Sequence, residues 1–511
     1  MTCGVGPVIR TYRFVLFDLG GHSLSVDLHK YRKEWSGNVR ADVLSGIVVA
    51  IALIPESVAF SLLAGLSPMV GLYASVCIAI VTALTGARPG MISAATGAMA
   101  LILIDLVKDY GLEYMLAATI LAGGIQMVLG AGKVGKLIRF IPKPVMLGFV
   151  NALAIMIFKS QLTYFSDGSM VMVALVAVGI AIICLFPLIN KTIPAPIIAI
   201  IAITAFVIIT GISVTTIGDI GNISSSFPAL AWPNIPFTFE TLLIILPYSL
   251  SLAVVGLVES MLTAKLLDDL TDSNSNKNVE CASQGLGNIV SGFFGGMAGG
   301  AMIGQTMINF KSGGRGRLSA LVAGVFLMIL ILFLADYVSL IPMAVLVAVM
   351  IVVSASTFSW KSLRRMKVVP LADTFVMVST IAIVLLTDNL ALGVIGGIIF
   401  SALFFVNKIS NTTVDVVEED GITTYVCKGQ LFFASTTRFI EKFDLHVHDC
   451  KVIIDISSMQ VWDDSAVDAF DTIIRKYKIR NVDLQIVGLD KSSENLINRL
   501  SENNMAFSKN I

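Results

Sequence analysis

Two glutamates of this 511-residue chain lie inside long apolar segments, where an ionised side chain is costly. Glu56 occurs in GIVVAIALIPESVAFSLLAGL, and Glu259 occurs in LPYSLSLAVVGLVESMLTAKLL. A charged group inside a membrane span costs about 3 kcal/mol or more, so such a group marks a candidate site for ion or proton movement. Each glutamate is followed by a serine, and the two lie about half a chain apart. This spacing predicts a duplicated architecture with a polar site between the two copies.

The composition is that of a membrane protein. Hydrophobic residues make up 56% of the chain and charged residues 14%, with a mean hydropathy of +0.86. Ordinary globular domains carry about 25% charged residues. We therefore expect a polytopic α-helical membrane protein and no nucleic-acid partner. The N-terminus is polar before the first span, so no cleavable signal peptide is expected. Six cysteines without CxxC spacing are expected to be free thiols: Cys3, Cys77, Cys184, Cys281, Cys427 and Cys450.

The charge distribution predicts three regions and the membrane topology. Residues 1–40 form a polar cytoplasmic lead-in, residues 41–408 form the membrane domain, and residues 411–511 form a soluble domain. Loops rich in lysine and arginine alternate with acidic loops, which predicts about fourteen segments, both termini in the cytoplasm and a location in the cytoplasmic (inner) membrane. The basic loops contain Arg88, Lys133, Lys136, Arg139, Lys143, Lys191, Lys265, Lys277, Lys311, Arg315, Arg317, Lys361, Arg364, Arg365, Lys367 and Lys408. The acidic loops contain Asp105, Asp109, Glu113, Asp167, Asp219, Glu240, Asp336 and Asp388.

Two segments are too rich in glycine and small residues for plain lipid-facing helices. They are PGMISAATGAMALILIDLV after Arg88, and SGFFGGMAGGAMIGQTMINFKSGGRGR after the second glutamate. Interrupted segments at corresponding positions of two halves are typical of a transporter's midplane binding site. Helices that begin there direct free N–H groups and partial positive charge towards an anion. The alternative is that the glycines serve close helix packing.

The C-terminal residues alternate between strand and helix patterns. Strands are predicted at 412–420, 422–429, 451–457 and 482–489, and helices at 436–446, 464–478 and 493–504. Asp464 or Ser465 is expected to cap the middle helix. The chain lacks a P-loop and lacks a GxGxxG following a strand, so a nucleotide site is not expected.

Four motifs together resemble the sulfate permease (SulP) family. They are IPESVAFSLLAGLSPMVGLYAS, TGARPGMISAATGAMA, GLVESMLTAKLLDDLTDSNSNKN and SQGLGNIVSGFFGGMAGGAMIGQT. The tail resembles a STAS domain. The resemblance implies about fourteen segments in two inverted repeats of seven, at about 41–217 and 241–408. It also implies a core domain that moves against a gate domain as an elevator, a homodimer, and a transporter rather than an enzyme.

The resemblance also assigns the site to the starts of the third and tenth segments. The implied substrate-binding residues are Glu56, Phe60, Thr96, Gly97, Ala98, Gly304, Gln305 and Thr306. The implied coupling-ion residues are Glu259 and Thr263, with Glu56. Glu259 and Thr263 are four residues apart and therefore lie on one helix face. In VWDDSAV, Ser465 occupies the position that is phosphorylated in related STAS proteins. The simpler interpretation is that Ser465 is an ordinary residue at a helix N-terminus.

Two departures from the family pattern bear on coupling. Many animal members carry Arg at the position of Gln305 and Gln at the position of Glu56. The site would thus lack a cationic side chain and hold an extra carboxyl group. An anion would be repelled unless the carboxyl groups were neutralised by a proton, or by a sodium ion at Glu259 and Thr263. We expect cation-coupled symport, with the proton favoured, and no other cofactor or metal.

Several alternatives remain open from the sequence alone. Glu56 could bond a backbone amide at a broken helix, Glu259 could pair with Lys265, and Phe60 could belong to the core. The expected cargo is bicarbonate or sulfate, and a dicarboxylate such as fumarate or succinate is the runner-up. A sensor that signals through the STAS domain to a cytosolic partner is a further hypothesis. Nucleobase transport is disfavoured by the motifs and by the tail.

Overall fold

The computed structural model describes most of the chain. It covers residues 13–18, 23–133, 135, 141–165, 169–190, 194–221, 225–419, 421–448 and 450–500, with the backbone only for residues 13–18 and 23–30. Five residues named above lie outside these ranges, namely Cys3, Lys136, Arg139, Asp167 and Lys191, as does the end of the predicted C-terminal helix. The structure therefore describes only some of the loops on which the predicted topology rests.

The N-terminal part of the chain is a bundle of apolar helices. Nine helices in the described ranges are long and apolar enough to cross a membrane, and two shorter apolar helices accompany them. The helices up to residue 409 are α1 (Leu28–Ser36), α2 (Val39–Leu63), α3 (Pro68–Thr85), α4 (Gly97–Tyr110), α5 (Leu112–Ala131), α6 (Lys143–Gln161), α7 (Met170–Ile189), α8 (Ala195–Thr210), α9 (Ile217–Ile220), α10 (Phe239–Thr271), α11 (Lys277–Phe293), α12 (Ile303–Lys311), α13 (Arg317–Ser339), α14 (Met343–Thr357), α15 (Trp360–Arg365), α16 (Leu371–Thr387) and α17 (Leu390–Ile409). This is a multi-pass helical membrane domain, as the composition predicted.

Four short strands accompany the helices. A hairpin-like pair, β1 (Arg13–Asp18) and β2 (Ser23–Asp27), precedes α1. The strands β3 (Ser93–Ala95) and β4 (Gly299–Ala301) lie in the two glycine-rich segments and pair with each other in antiparallel fashion. Backbone that is not helical survives at membrane depth only where protein or water satisfies its hydrogen bonds. Here the two interrupted segments satisfy each other.

Buried ion pairs hold the loops at the ends of the membrane helices. Arg88 pairs with Asp268 at 3.1 Å, and the two side chains are 10% and 7% exposed. Arg317 pairs with Glu34 at 2.8 Å and donates a second hydrogen bond to the carbonyl of Ala83. The sequence suggested that Arg88 and Arg317 mainly set the topology. The structure gives both of them partners in the folded domain as well, since a buried guanidinium needs a counter-charge.

The C-terminal unit is a separate α/β domain. The chain divides into two compact units between Gly397 and Ile398. A four-stranded sheet in the order β5 (Thr413–Glu419), β6 (Ile422–Leu431), β7 (Lys451–Val461) and β8 (Asp483–Val487) carries α18 (Thr436–Ile440), α19 (Asp464–Ile479) and α20 (Lys491–Leu500). The β5–β6 pair is antiparallel, and the other two pairs are parallel. Its core contains large side chains that are fully buried, among them Phe439, Phe470 and Tyr477. All four predicted strands are confirmed.

Two sequence-based details of this domain are wrong. The cap of α19 is Asp463, whose carboxylate accepts the N–H of Ala466 at 3.0 Å, rather than Asp464 or Ser465. The same carboxylate accepts the N–H of Phe433 at 2.8 Å, and this tertiary contact selects the first of the two aspartates. The helix predicted to reach residue 446 ends at Ile440.

The cysteines that the structure describes are free, as expected. They are Cys77, Cys184, Cys281, Cys427 and Cys450. In the C-terminal domain, burial raises the pKa of the Cys427 thiol to about 12. That thiol is therefore protonated and unreactive at neutral pH.

Candidate functional site

The pairing of β3 with β4 brings the starts of two half-helices together. Strand β3 leads through Thr96 into α4, and β4 leads through Met302 into α12. The carbonyl of Ile92, just before β3, accepts the N–H of Met302 at 2.9 Å. The N–H of Ile92 donates to the hydroxyl of Thr306 at 3.0 Å. Residues more than 200 positions apart in the chain are thus joined at the two helix starts.

Serine side chains fasten the end of each strand to a neighbouring membrane helix. In the first half, the N–H of Ala95 donates to Ser75 at 3.2 Å, and Ser75 lies 2.6 Å from the hydroxyl of Ser57 on α2. In the second half, the N–H of Ala301 donates to Ser260 on α10 at 2.9 Å. Ser57 and Ser260 are the serines that follow the two glutamates. The serine of each Glu-Ser pair therefore contributes to holding a strand, Ser260 directly and Ser57 through Ser75.

Thr263 adds a second tie to the same strand. Its hydroxyl lies 2.9 Å from the carbonyl of Glu259 and 3.0 Å from the carbonyl of Ala301. Thr263 is completely buried. Carboxylate, hydroxyl and carbonyl oxygens are hard ligands of the kind that small cations prefer. Glu259, Thr263 and Ala301 are the residues here that could hold a sodium ion.

The two helix starts differ in how they are capped. Thr96 caps α4 by accepting the N–H of Met99 at 3.4 Å. Met302 offers α12 no side-chain cap. The first N–H groups of a helix have no partner within the helix, so the start of α12 keeps donors available. Gly304 in this first turn is exposed, and no atom outside its chain neighbours and the backbone of its own helix lies within 4 Å of the place where its Cβ would stand. The start of α12 therefore opens onto free space that an anion could occupy.

The two glutamates lie at these helix starts and are half-buried. The carboxyl group of Glu56 is a close neighbour of the Gln305 side-chain amide, in the first turn of α12. The carboxyl group of Glu259 is a close neighbour of the Thr96 hydroxyl, at the cap of α4. Within the described ranges, one carboxyl oxygen of Glu259 and both amide atoms of Gln305 are buried without a hydrogen bond of normal geometry. The site thus contains polar groups whose hydrogen-bonding capacity is unused.

Phe60 packs against the start of α4. It is 3% exposed, and a Cβ built on Gly97 would stand 2.8 Å from its ring. Gly97 therefore allows the helix start to approach the ring closely. Phe60 is a buried core residue, which agrees with one of the alternatives left open by the sequence. Its ring also packs against the helix start that borders the site.

The structure brings most of the sequence-predicted residues together. Glu56 with Gln305, and Glu259 with Thr96, meet at the two helix starts. Ala98 is completely buried in the first turn of α4. Thr306 is 1% exposed, and its hydroxyl is engaged by Ile92, so this side chain joins the strands. No ion pair links Glu259 to Lys265 in the described part of the chain.

Sequence reasoning missed the residues that hold the strands. Ser75 and Ile92 carry no special sequence signal, because their role depends on a tertiary approach. Ser57 and Ser260 could have been found from the repeated Glu-Ser pair. Ser465 is exposed in the first turn of α19 and belongs to the separate C-terminal unit. Groups of three or more His, Cys, Asp or Glu side chains able to hold a metal are not found among the described residues.

A large cavity lies apart from these helix starts. It has a volume of about 590 Å³ and lies between α5, the beginning of α10 and residues 232–238. Its walls are almost entirely apolar, and they include Trp232, Phe239 and Phe293. None of the predicted site residues lines it. This cavity therefore offers a polar ligand few hydrogen-bonding partners.

Paired half-helices in a bundle of apolar spans define a membrane transport protein. The model of the sulfate permease family matches residues 39–177 and 166–380, and the STAS domain model matches residues 413–507. The chain belongs to the sulfate permease family and carries a C-terminal STAS domain, as the motifs predicted.

Individual relatives agree with this assignment. The chain is 52% identical over 471 residues to "Putative sulfate transporter YbaR" of Bacillus subtilis (strain 168), covering 92% of this chain and 98% of that protein. It is 29% identical over 416 residues to the bicarbonate transporter BicA of a Picosynechococcus species, covering 75% of this chain and 72% of that protein.

Solved structures share the fold. The transmembrane domain of a cyanobacterial BicA superimposes with a TM-score of 0.62 at 27% identity, covering 71% of this chain and 97% of that chain. The murine anion transporter Slc26a9 in its inward-facing state gives a TM-score of 0.78 at 18% identity, covering 97% of this chain and 96% of that chain. The latter likeness concerns the fold alone.

Proposed function

We propose that this protein is a secondary active transporter that moves a small oxyanion together with a cation. The observation that carries the proposal is that two glutamates lie at the starts of two half-helices. The predicted site residues include no basic side chain. Glu56 lies beside Gln305, and Glu259 lies beside Thr96. The backbone offers the anion its donors, and the glutamates take up the coupling ion.

The charges at the site favour coupling over simple binding of an anion. Each helix start contributes the equivalent of about half a positive charge, so the two together offset about one carboxylate. Two ionised glutamates would leave the empty site negative. An anion about 5 Å from one carboxylate is repelled by about 3 kcal/mol at an effective dielectric constant of about 20. Uptake of one or two cations removes this repulsion, so anion and cation bind together.

A proton is the coupling ion that these residues suit best. A carboxyl group removed from water favours its neutral form. A protonated carboxyl group also becomes a hydrogen-bond donor, and the amide oxygen of Gln305 is available beside Glu56. Sodium at Glu259, Thr263 and Ala301 is the competing outcome in the experiment below.

The cargo that we propose is sulfate or bicarbonate. The relative at 52% identity is named as a sulfate transporter, and BicA at 29% identity is a bicarbonate transporter. None of the predicted site residues carries a basic side chain that would pair with the second carboxylate of a dicarboxylate. Sulfate is therefore the first anion to test.

The remaining elements of the proposal follow the family fold. The two repeats form a core domain that carries the half-helices and a gate domain against which it moves as an elevator. The protein is a homodimer in the cytoplasmic membrane, with both termini in the cytoplasm. A phosphoryl group on exposed Ser465 would add negative charge at the start of α19, where it is favourable, and a cytosolic partner could read it.

The experiment that tests the proposal is uptake into proteoliposomes. Labelled sulfate, bicarbonate and fumarate are each supplied with an imposed proton gradient, an imposed sodium gradient or no gradient. Accumulation of sulfate or bicarbonate above equilibrium under one gradient supports the proposal and identifies the coupling ion. Exchange of internal for external anion without accumulation contradicts coupling, and fumarate accumulation alone contradicts the cargo.

A further inference from the structure

Gln305 differs from the other buried glutamines of the membrane domain. It is fully buried, and neither its amide nitrogen nor its amide oxygen makes a hydrogen bond of normal geometry among the described residues. In contrast, Gln126 donates to the carbonyl of Ala253, and Gln284 donates to Ser93 and Glu280. An unpartnered buried polar group costs about 1–3 kcal/mol. A buried polar group that bears this cost in a folded protein needs a specific explanation, such as a hydrogen-bond partner that is present in only one state of the site.

The surroundings of Gln305 contain two such partners. Helix α12 packs against α2, and the carboxyl group of Glu56 on α2 is the neighbour of the Gln305 amide. Gln305 also belongs to the first turn of α12 and directly follows Gly304, which is exposed. One side of this residue thus meets a group that can gain or lose a proton. The other meets the helix start at which an anion would bind.

We propose that Gln305 is a positioning residue that transmits the protonation state of Glu56 to the anion by turning its side-chain amide. This inference rests on the proposed function. An ionised carboxylate only accepts hydrogen bonds, so Glu56 in this form accepts one from the NH₂ group of Gln305. The amide oxygen of Gln305 then faces the anion site. A protonated carboxyl group donates to the amide oxygen and leaves the NH₂ group for the anion. The anion therefore binds when Glu56 is protonated.

Few titratable groups on the elements that pack against α2 lie level with Glu56 along the helix axis. The packed elements carry Tyr73 and Cys77 on α3, Asp105, Lys108, Asp109 and Tyr110 on α4, Lys311 on α12, and Arg317, Asp336 and Tyr337 on α13, whereas β3, α8 and α14 carry none. The groups on α4, α12 and α13 belong to the helix ends. The Tyr73 hydroxyl lies 2.8 Å from that of Ser226, and the Cys77 thiol is buried. Glu259 on α10 is the other carboxyl group at the site, so the test must separate its titration from that of Glu56.

The test is the pH dependence of sulfate affinity, measured by calorimetry on the purified full-length protein. One proton taken up with the anion changes the affinity about tenfold per pH unit above the pKa of that proton site. The Glu56→Gln variant fixes a neutral group at this position and defines the slope that is due to Glu259. We expect Gln305→Met to show the slope of Glu56→Gln, about tenfold smaller per pH unit than the slope of the wild-type protein. The double variant should show no further loss, because the two side chains act as one unit.

A matched control separates a relay from a general loss of a buried amide. Gln161 is 4% exposed, lies on α6 and donates to Ser160. The Gln161→Met variant should keep the wild-type slope. The wild-type slope in Gln305→Met would overturn the relay while leaving the proposed function intact. A wild-type affinity that is independent of pH would overturn the relay and leave sodium as the coupling ion of the proposed function, whereas no binding of sulfate and bicarbonate would overturn both.

A second measurement does not depend on the folding of the Gln305 variant. Infrared difference spectra of the wild-type protein, recorded on addition of sulfate at constant pH, report carboxyl protonation and glutamine amide bands together. We expect a protonated carboxyl band that is absent in Glu56→Gln, together with a shift of a glutamine band. The carboxyl band without any glutamine band would overturn the relay.

Discussion

The carboxyl group of Glu56, in the first half of the chain, lies beside the side-chain amide of Gln305, in the half-helix of the second half. The reverse contact also exists, because the carboxyl group of Glu259 lies beside Thr96 at the start of the first half-helix. Each glutamate therefore lies in one half of the chain and next to the helix start of the other half. A change of charge on either glutamate would change the electrostatic environment of a helix start in the other half.

Glu259→Gln should weaken accumulation driven by a cation gradient. The amide keeps the size of the side chain but cannot gain a proton or hold sodium, so the anion moves with one coupling ion fewer. Accumulation of labelled sulfate in proteoliposomes should fall at least tenfold, while exchange of sulfate persists. Glu240→Gln is the control, because Glu240 is an exposed carboxylate in the first turn of the same helix. Wild-type accumulation in Glu259→Gln would remove this residue from the coupling mechanism.

Gln305→Arg should turn a coupled transporter towards anion exchange. A guanidinium beside Glu56 supplies a permanent positive charge, so the anion no longer needs a proton. We expect sulfate exchange to continue and accumulation under a proton gradient to fall at least tenfold. Gln305→Met serves as the uncharged comparison at the same position. Unchanged accumulation in the arginine variant would show that charge at this position does not control coupling.

Ser260→Ala should weaken the membrane domain. The N–H of Ala301 donates to Ser260 at 2.9 Å, and the alanine variant leaves this buried group without its partner. The expected loss is about 1–3 kcal/mol of stability. Thermal unfolding of the purified protein in detergent measures it, with Ser251→Ala on the same helix as the control. Equal midpoints for the two variants would mean that the hydrogen bond to Ala301 contributes nothing.

Gly71→Ala should prevent normal packing of α3 on α2. A Cβ at this position would stand 2.1 Å from the carbonyl oxygen of Ser57, a backbone atom that cannot move aside without moving the helix. Overpacking costs about 1–3 kcal/mol, and occasionally more. Gly124→Ala on α5 is the matched control, because no atom outside its chain neighbours and the backbone of its own helix lies within 4 Å of its Cβ position. Size-exclusion profiles after purification should show loss of the folded species for Gly71→Ala only, and two equal profiles would contradict the prediction.

The sequence was sufficient for the elements that local patterns determine. Apolar length marked the spans, glycine-rich interruptions marked both half-helices, and the alternation of residues marked the four strands of the tail. The starts of α4 at Gly97 and α12 at Ile303 agree with the expected helix starts.

The features that escaped prediction depend on tertiary contacts. The hydrogen bond between Ile92 and Thr306 joins residues 214 positions apart, and no local sequence pattern predicts it. Helix α18 was overestimated because Phe439 and Phe443 are both buried and four residues apart, a spacing typical of a helix. After Ile440 the backbone forms tight turns instead, with the N–H of Phe443 bonded to the carbonyl of Ile440. Turns and helices can bury the same pair of side chains.

The most direct test of coupled transport is to let the anion drive the proton. Proteoliposomes containing a pH-sensitive dye are prepared at equal internal and external pH, with the membrane potential clamped, and sulfate is added outside. Symport with a proton predicts acidification of the interior that requires sulfate and is lost when both Glu56 and Glu259 are replaced by glutamine. Sulfate entry without any change of internal pH, with sodium absent, would contradict proton coupling and with it the central role given to the two glutamates.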